Sequence, residues 1–246
     1  EVISKIIASL RLKEGDPVIE IGPGRGALTK MILAQGAYLT ALELDREFAP
    51  RLRDDFSDYD HFVCIEGDVL ERDLAGLVRE PPAKLVGNLP YYISTAIIQK
   101  LTGERHLFSQ IVLMLQREVV ERIAAKPGDS SRGFLTVLVE DAFTVEWLFD
   151  VPPTAFLPRP KVWSSVVSLV PKVSEIADGE LLRTIVSAAF AQKRKTIFNN
   201  LRNRFADAEE ILKAAGIDPS RRAETVTNCE WASLVSYIAN KKEPPK

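Results

Sequence analysis

The first half of the chain alternates between helical spacing of apolar residues and short continuous apolar runs. Residues 2–10 carry apolar side chains at helical spacing, so they are predicted to form an amphipathic helix. A helix is also predicted over 27–35, closed by Gly36. Strand, glycine turn and helix in succession indicate the start of a doubly wound α/β fold. The short apolar runs are the predicted strands of a buried sheet, and they cover 18–21, 38–42, 63–65 and 85–86.

The pattern changes towards the C-terminus. After a predicted helix over 134–143 and strands over 144–149 and 163–170, the last of them expected to be antiparallel, only helical periodicity remains. These later helices are predicted over 181–190, 193–205, 208–215 and 228–239, with Gly216 as a C-cap. A short linker over 173–178 separates the two patterns. We therefore predict an α/β domain over 1–172 and an all-helical domain over 179–246.

Composition narrows the class of protein. With 246 residues, 46% apolar and 27% charged, the chain has the make-up of a soluble globular protein with one large and one small domain. It contains no apolar run of about 18 residues and no signal segment, so we expect a cytoplasmic protein without membrane contact. Its few cysteines and histidines show no metal-ligand spacing, which predicts reduced thiols and no metal site. They are Cys64, Cys229, His61 and His106.

Charge is unevenly distributed along the chain. Residues 151–246 carry 15 Lys+Arg against 10 Asp+Glu, a net charge of +5. Residues 1–150 carry 17 against 24, a net charge of −7. Contact with a polyanion is therefore expected to be concentrated in the C-terminal part.

The run Asn88-Leu89-Pro90-Tyr91 follows the fourth predicted strand, and ligands of open α/β sheets bind at the carboxyl ends of the strands. Asn88 Oδ1 and the Leu89 carbonyl, whose direction Pro90 helps to fix, could accept both hydrogens of a planar amine. Tyr91 could stack on the ring that carries the amine. The alternative is a strand followed by a proline turn, in which Asn88 is only a cap.

The three preceding strand ends suggest a bound nucleoside. Gly22 and Gly24 permit a tight turn and close approach of the backbone to a ligand. Glu43, 21 positions after Gly22, is placed to accept both ribose hydroxyls of an adenosine. Asp68 could accept from an adenine amino group, or could be a turn or cap aspartate. With Ala27, the glycines also satisfy a dinucleotide fingerprint, so these residues alone leave the cofactor open.

Together these segments resemble an S-adenosylmethionine-dependent methyltransferase that acts on an amino nitrogen. The Asn-Leu-Pro-Tyr form resembles the ribosomal RNA adenine dimethyltransferase family. Segments 189–196 and 216–224 resemble most closely its bacterial small-subunit (16S) branch, linked to kasugamycin sensitivity. The family carries a Phe-Leu-x-Asp-like segment before the opening helix, whereas this sequence begins after that point. The matching segments are 20–26, 42–45, 67–68, 88–95, the fifth strand and helix over 111–122, the Pro-rich loop 152–162, and 189–196 and 216–224.

The resemblance implies a Rossmann-like domain with a mostly parallel seven-stranded sheet and a small all-helical C-terminal domain. It implies S-adenosyl-L-methionine as cofactor and dimethylation of two adjacent adenines in small-subunit rRNA, within a pre-ribosomal 30S particle, by a monomer. Phe156 would face the target base opposite Tyr91, or alternatively pack in the core. The implied catalytic residues are Asn88, Leu89, Pro90, Tyr91 and Phe156, and the implied cofactor residues are Gly22, Gly24, Glu43, Asp68 and Asn88.

A basic cluster in the C-terminal part is the predicted RNA-binding surface, because it lies in the positively charged part of the chain. Its alternative is a solvated helix face. Two other functions remain open: a large-subunit methylase of the erythromycin-resistance type, against which 216–224 argues, and a mainly non-catalytic ribosome-assembly or transcription factor. The cluster consists of Lys193, Arg194, Lys195, Arg202 and Arg204.

Overall fold

In the computed structural model, which describes residues 1–242, the predicted sheet is present with seven strands. The strands are β1 (Pro17–Ile21), β2 (Tyr38–Glu43), β3 (Phe62–Glu66), β4 (Ala83–Asn88), β5 (Phe108–Gln116), β6 (Phe143–Val151) and β7 (Ser164–Pro171). Their order is β3-β2-β1-β4-β5-β7-β6, and only β7 runs against the others, as predicted for the closing strand. The sheet is therefore doubly wound, with its order reversing between β1 and β4.

Five helices accompany the parallel strands: α1 (Val2–Leu10), α2 (Ala27–Leu33), α3 (Phe48–Asp55), α4 (Ser94–Gly103) and α5 (Arg117–Ile123). The predicted apolar face of α1 is buried through Ile6, Ile7 and Leu10, in a cluster that includes residues of α2, β1 and β5. Helix α3 has a small apolar face: only Ala49 and Leu52 of its eight residues are buried.

The remaining helices are α6 (Phe134–Ala142), α7 (Gly179–Ala189), α8 (Ile197–Leu201), α9 (Ala208–Ala214) and α10 (Asn228–Lys242). They share a core around Trp231, whose side chain is fully buried and whose ring centroid lies 6.4 Å from that of Phe190. In residues 1–242 no helix is long and apolar enough to cross a membrane.

The chain divides into two compact units. One division falls after Pro171, one residue from the predicted boundary, but segment 121–142, predicted to lie in the α/β domain, belongs to the second unit. Among the described residues, the first unit, the sheet unit, contains 1–120 and 143–171, and the second, the helical unit, contains 121–142 and 172–242. Segment 121–142 joins the helical unit because Val137 and Leu138 of α6 are buried in the core around Trp231. The apolar periodicity of α6 predicted a helix, but it carried no information about which core would bury it.

The predicted helix over 193–205 is wrong at both ends, since α8 also ends at Leu201 and residues 202–204 form a turn. Residues 193–195 form turns, and α8 begins only at Ile197. Thr196 is the N-cap, since its side chain accepts from Asn199 N at 3.3 Å. Asn200 Nδ2 donates to Ala189 O at 2.6 Å and to Gln192 O at 3.1 Å, which stabilises the turn after α7. The Thr196 and Asn200 side chains therefore favour a turn over a helix in residues 193–195. Thr and Asn side chains commonly compete with helix formation in this way.

Candidate active site

The carboxyl ends of β1, β2 and β4 meet at one edge of the sheet. Ile21 pairs with Leu42 on one side and with Gly87 on the other, so the residues that follow these positions lie side by side. Gly22, Glu43 and Asn88 are thereby brought to one edge although 66 positions of sequence separate the first from the last. This is the position at which open α/β sheets bind ligands.

A cavity of about 800 Å³ opens at this edge, within the sheet unit. Its volume lies in the range of small-molecule and cofactor sites. Four of the predicted residues line it: Gly22, Gly24, Asn88 and Phe156. Residues that the sequence did not single out complete the wall, and they include Glu20, Leu28, Met114 and α1 residues Val2, Ile3 and Ile6.

Asn88 is exposed at the end of β4 and makes no side-chain hydrogen bond within the part of the chain that the structure describes. Its amide is thus available to a ligand. Leu89 is fixed from behind, because its side chain is buried and its N–H donates to Met114 O at 3.2 Å. Pro90 is exposed, and its carbonyl accepts from Ile93 N at 3.3 Å. Backbone hydrogen bonds therefore hold the turn after β4 in place, while the Asn88 side chain has no partner among the described residues.

Tyr91 and Phe156 differ in their positions. The Tyr91 hydroxyl lies 3.2 Å from Oγ of the buried Ser164, at the start of β7. Tyr91 is 37% exposed and is not among the cavity-lining residues. Phe156 is half-buried, lines the cavity and also packs against the core cluster that contains α1. Phe156 therefore has contacts that fit both interpretations, a role in the cavity and packing in the core.

The two predicted acidic residues are held by backbone N–H groups. Glu43 is 6% exposed; its Oε2 accepts from Gly24 N at 2.8 Å and its Oε1 from Asp45 N at 2.9 Å. Asp68 does not line the cavity, and its Oδ1 accepts from Leu70 N at 2.8 Å, as in an Asx turn. Each carboxylate retains acceptor capacity, since an ionised carboxylate has about four lone-pair sites.

Glu20 is a functional candidate that sequence analysis missed. It is 1% exposed near the carboxyl end of β1, lines the cavity, and accepts from Thr29 Oγ1 at 2.7 Å. The pKa of Glu20 is raised from its ordinary 4.5 to about 7, chiefly by burial; the Thr29 hydrogen bond opposes this rise and the nearby Glu43 carboxylate adds to it. The available signal was an acidic residue inside an otherwise apolar strand.

Glu20→Gln is expected to remove a pH-dependent loss of stability. Between about pH 4.5 and pH 7 the folded protein holds a proton on Glu20 that the unfolded chain releases, so the free energy of unfolding falls as pH rises. The full effect is at most about 3 kcal/mol above pH 7. Thermal unfolding from pH 4.5 to pH 8.5 should show Glu20→Gln gaining stability relative to wild type as pH rises. Glu71→Gln, at an exposed position, is the control; profiles parallel to wild type for both variants would contradict the expectation.

The predicted RNA-binding cluster lies in the helical unit. Lys193, Arg194 and Lys195 are exposed in the turn before α8, and Arg202 and Arg204 are exposed after it. Arg202 lies over the Phe198 ring, 5.9 Å from its centroid. Among the described residues, none of the five forms an ion pair or a side-chain hydrogen bond. In the same unit Lys213, Arg221 and Lys241 are paired with carboxylates, whereas the charges of the cluster are unpaired among the described residues.

Comparison with known proteins identifies the family. Residues 1–240 match the family model described as ribosomal RNA adenine dimethylase. The chain belongs to this family. The match confirms the predicted family and enzyme class, an S-adenosyl-L-methionine-dependent rRNA adenine dimethyltransferase, together with its cofactor.

Individual members of the ribosomal RNA adenine dimethylase family match over nearly the whole chain. A protein of Syntrophotalea carbinolica named ribosomal RNA small subunit methyltransferase A is 43% identical over 244 residues, covering 97% of this chain and 92% of that protein. The protein of the same name from Hahella chejuensis is 42% identical over 241 residues, with coverages of 96% and 88%. The crystal structure of a dimethyladenosine transferase from Plasmodium falciparum has a TM-score of 0.83 at 26% identity, with coverages of 98% and 96%. The predicted fold class is thus confirmed.

Proposed function

We propose that this dimethylase family member transfers methyl groups to the exocyclic amines of two adjacent adenines in small-subunit (16S) rRNA, as part of small-subunit biogenesis. One observation carries the chemistry: the unbonded Asn88 amide stands at the edge of the 800 Å³ cavity, beside the glycine turn. The names of the relatives from Syntrophotalea and Hahella support the small subunit over the large one. The substrate implies a cytoplasmic protein, and we propose that it acts as a monomer.

The residues present fit the cofactor. Gly22 and Gly24 have φ angles of +67° and +55°, which favour glycine, and they leave the floor of the cavity bare. A Cβ at Gly24 would meet nothing within 4 Å, so the space belongs to the cavity rather than to packing. S-adenosyl-L-methionine would supply an electrophilic methyl group on its sulfonium. We assign its binding to Gly22, Gly24, Glu43, Asp68 and Asn88.

The proposed chemistry at the target amine needs two acceptors and no strong base. The lone pair of an adenine amine is conjugated into the ring, which makes the nitrogen a poor nucleophile. Accepting its hydrogens at Asn88 Oδ1 and the Leu89 carbonyl would favour a tetrahedral nitrogen and stabilise the positive charge that develops there. Once methylated, the charged nitrogen is acidic and loses its proton readily. No histidine or cysteine lines the cavity in residues 1–242, in keeping with this chemistry.

We propose that Tyr91 and Phe156 hold the base after it has left its stack. Stacking on an aromatic ring contributes about 1–3 kcal/mol per base. The contact of the Tyr91 hydroxyl with Ser164 and the packing of Phe156 against the α1 cluster would limit the motion of both rings. Positioning the amine next to the methyl donor supplies a proximity effect that reaches about 7–11 kcal/mol in favourable intramolecular systems.

Methyl transfer to isolated ribosomal components tests the function. Small subunits, large subunits and free 16S rRNA, all lacking this modification, are incubated with the protein and tritiated S-adenosylmethionine, and the modified bases are mapped. We expect label on two adjacent adenines of small-subunit rRNA. Label confined to large-subunit rRNA would support the erythromycin-resistance type of activity, and tight subunit binding without label would support the non-catalytic assembly factor. Either result overturns the proposal.

Glu43→Ala is expected to weaken S-adenosyl-L-methionine binding by about 1.5–3 kcal/mol, because charge-assisted hydrogen bonds to the ribose are lost. Calorimetry measures the dissociation constant. Glu43→Gln keeps one acceptor and the size of the side chain, so its loss should be smaller. NAD should bind negligibly to all three proteins. Wild-type affinity in both variants would exclude Glu43 as the ribose acceptor.

A further inference from the structure

A second concave surface lies on the helical unit, on the side of α7 that is not in the core. It has a volume of about 460 Å³, and we call it the α7 groove. The buried face of α7 consists of Leu181, Leu182, Ile185, Val186 and Ala189. The α7 groove is lined by the outer face of α7, by the bend that follows it and by the chain after α8. These residues are Arg183, Thr184, Ser187, Ala188, Ala191 and Arg204.

The lining of the α7 groove suits a phosphodiester backbone. Its six residues include the guanidinium of Arg204 and the hydroxyls of Thr184 and Ser187, and none of the six is acidic. Guanidinium, hydroxyl and backbone N–H groups are the usual protein partners of phosphate oxygens. Ala188 and Ala191 place no bulky side chain in the groove, which permits close approach of a ribose-phosphate chain. No aromatic residue lines it, so it lacks the platforms on which unpaired bases stack.

The α7 groove is continuous in sequence with the basic cluster. Ala191 is followed within four residues by Lys193, Arg194 and Lys195, and Arg204 belongs to both surfaces. Arg204 is exposed and forms no ion pair among the described residues, so its charge is available to a ligand. A polyanion bound at the turn before α8 could therefore extend along α7 without meeting a carboxylate in the groove.

We propose that the α7 groove binds the sugar-phosphate backbone of structured RNA, as a site that extends the RNA contact from the basic turn along α7. The inference rests on the proposed function, which supplies the RNA. Arg204 binds a phosphate at the groove, and the hydroxyls of Thr184 and Ser187 donate to phosphate oxygens further along α7. The site reads backbone geometry and not base sequence, because its groups recognise phosphate.

The test is binding of the full chain to small ribosomal subunits and to protein-free 16S rRNA over a salt titration. Arg204→Gln removes one phosphate partner, and we expect about five- to tenfold weaker binding at 0.1 M salt and a salt slope lower by about 0.7–0.9. Ala191→Glu places a carboxylate in the groove and should weaken binding at least as much. The controls are Lys213→Gln, whose lysine pairs with Glu209 at 2.6 Å, and Ala214→Glu on the exposed part of α9. Both controls should bind like wild type.

Three results would overturn the proposal. Unchanged affinity and slope in both groove variants, with methyl transfer intact, would exclude the α7 groove and leave the proposed function standing. Weaker binding to the subunit but unchanged binding to protein-free rRNA would assign the groove to an acidic protein segment. A wild-type chain that neither binds nor methylates small-subunit RNA would remove the proposed function and the groove together.

Discussion

Asn88→Ala is expected to lower the single-turnover rate of methyl transfer by about 10²- to 10³-fold, the usual effect of removing one preorganised polar group from a transition state. The amide makes no hydrogen bond within the described chain, so its removal breaks no internal contact. It is exposed, so truncation leaves no cavity in the core. The fold should therefore stay close to wild type. The affinity for S-adenosyl-L-methionine, to which Asn88 is one of five assigned contributors, should fall far less than the rate, so the main loss should appear in the chemical step.

Rapid-quench single turnover on unmodified small subunits measures this rate, with thermal unfolding and cofactor calorimetry beside it. Asn88→Asp keeps an acceptor oxygen at the same position and should retain clearly more activity than Asn88→Ala. Asn240→Ala, at an exposed position of α10, controls for loss of an asparagine elsewhere. A near-wild-type rate in Asn88→Ala would remove Asn88 from the amine-binding role.

The sheet and the placement of its main site residues could be predicted because both follow from local patterns. Short apolar runs separated by helical segments require parallel strands with crossovers, and such strands present their carboxyl ends at one edge. Gly22, Glu43 and Asn88 each lie at or just after the end of a strand. Their proximity at one edge of the sheet could therefore be predicted from the order of the strands. Motif resemblance then added the cofactor and the family, which the glycine spacing alone had left open.

Features that depend on which surfaces meet could not be predicted. Arg132 is an example: it is 2% exposed, pairs with Glu140 at 2.5 Å and donates to the carbonyls of Ala125 and Val226. Arginine is rarely buried, and Val226 is 94 positions away. These bonds join segment 121–142 to the later chain within the helical unit. The composition of 126–133, polar and glycine-containing, gave no indication of them.

The turn before α8 illustrates a different limit. Helical periodicity continued through Lys193, Arg194 and Lys195, but the capping and bridging bonds of Thr196 and Asn200 end the periodic structure there. The difference matters for function. Consecutive side chains of a helix point about 100° apart, so three in a row cannot share a face, whereas a turn does not impose that separation. All three ammonium and guanidinium groups are exposed in the observed turn.

Removing the positive charges of Lys193, Arg194 and Lys195 is expected to weaken RNA binding strongly. The triple variant Lys193→Gln, Arg194→Gln, Lys195→Gln should lower the slope of log K against log salt by about 2–3, because about three fewer counterions are released. At low salt its affinity for small subunits should fall by about 10²-fold or more. Cofactor binding should be unchanged, because the cofactor cavity is lined by residues of the sheet unit alone.

The matched control removes the same amount of charge from the same unit. Lys213, Arg222 and Lys241 are also exposed, but they lie 2.6, 3.8 and 2.6 Å from the carboxylates of Glu209, Glu224 and Asp207. Changing these three to Gln alters the net charge by the same three units, so it lowers the long-range attraction to RNA equally. If the turn makes direct phosphate contacts, its own variant loses much more slope and affinity at physiological salt than the control triple does. Equal losses of affinity and slope in both triple variants would show that the cluster contributes only through net charge. No loss in either variant would show that the cluster is a solvated surface.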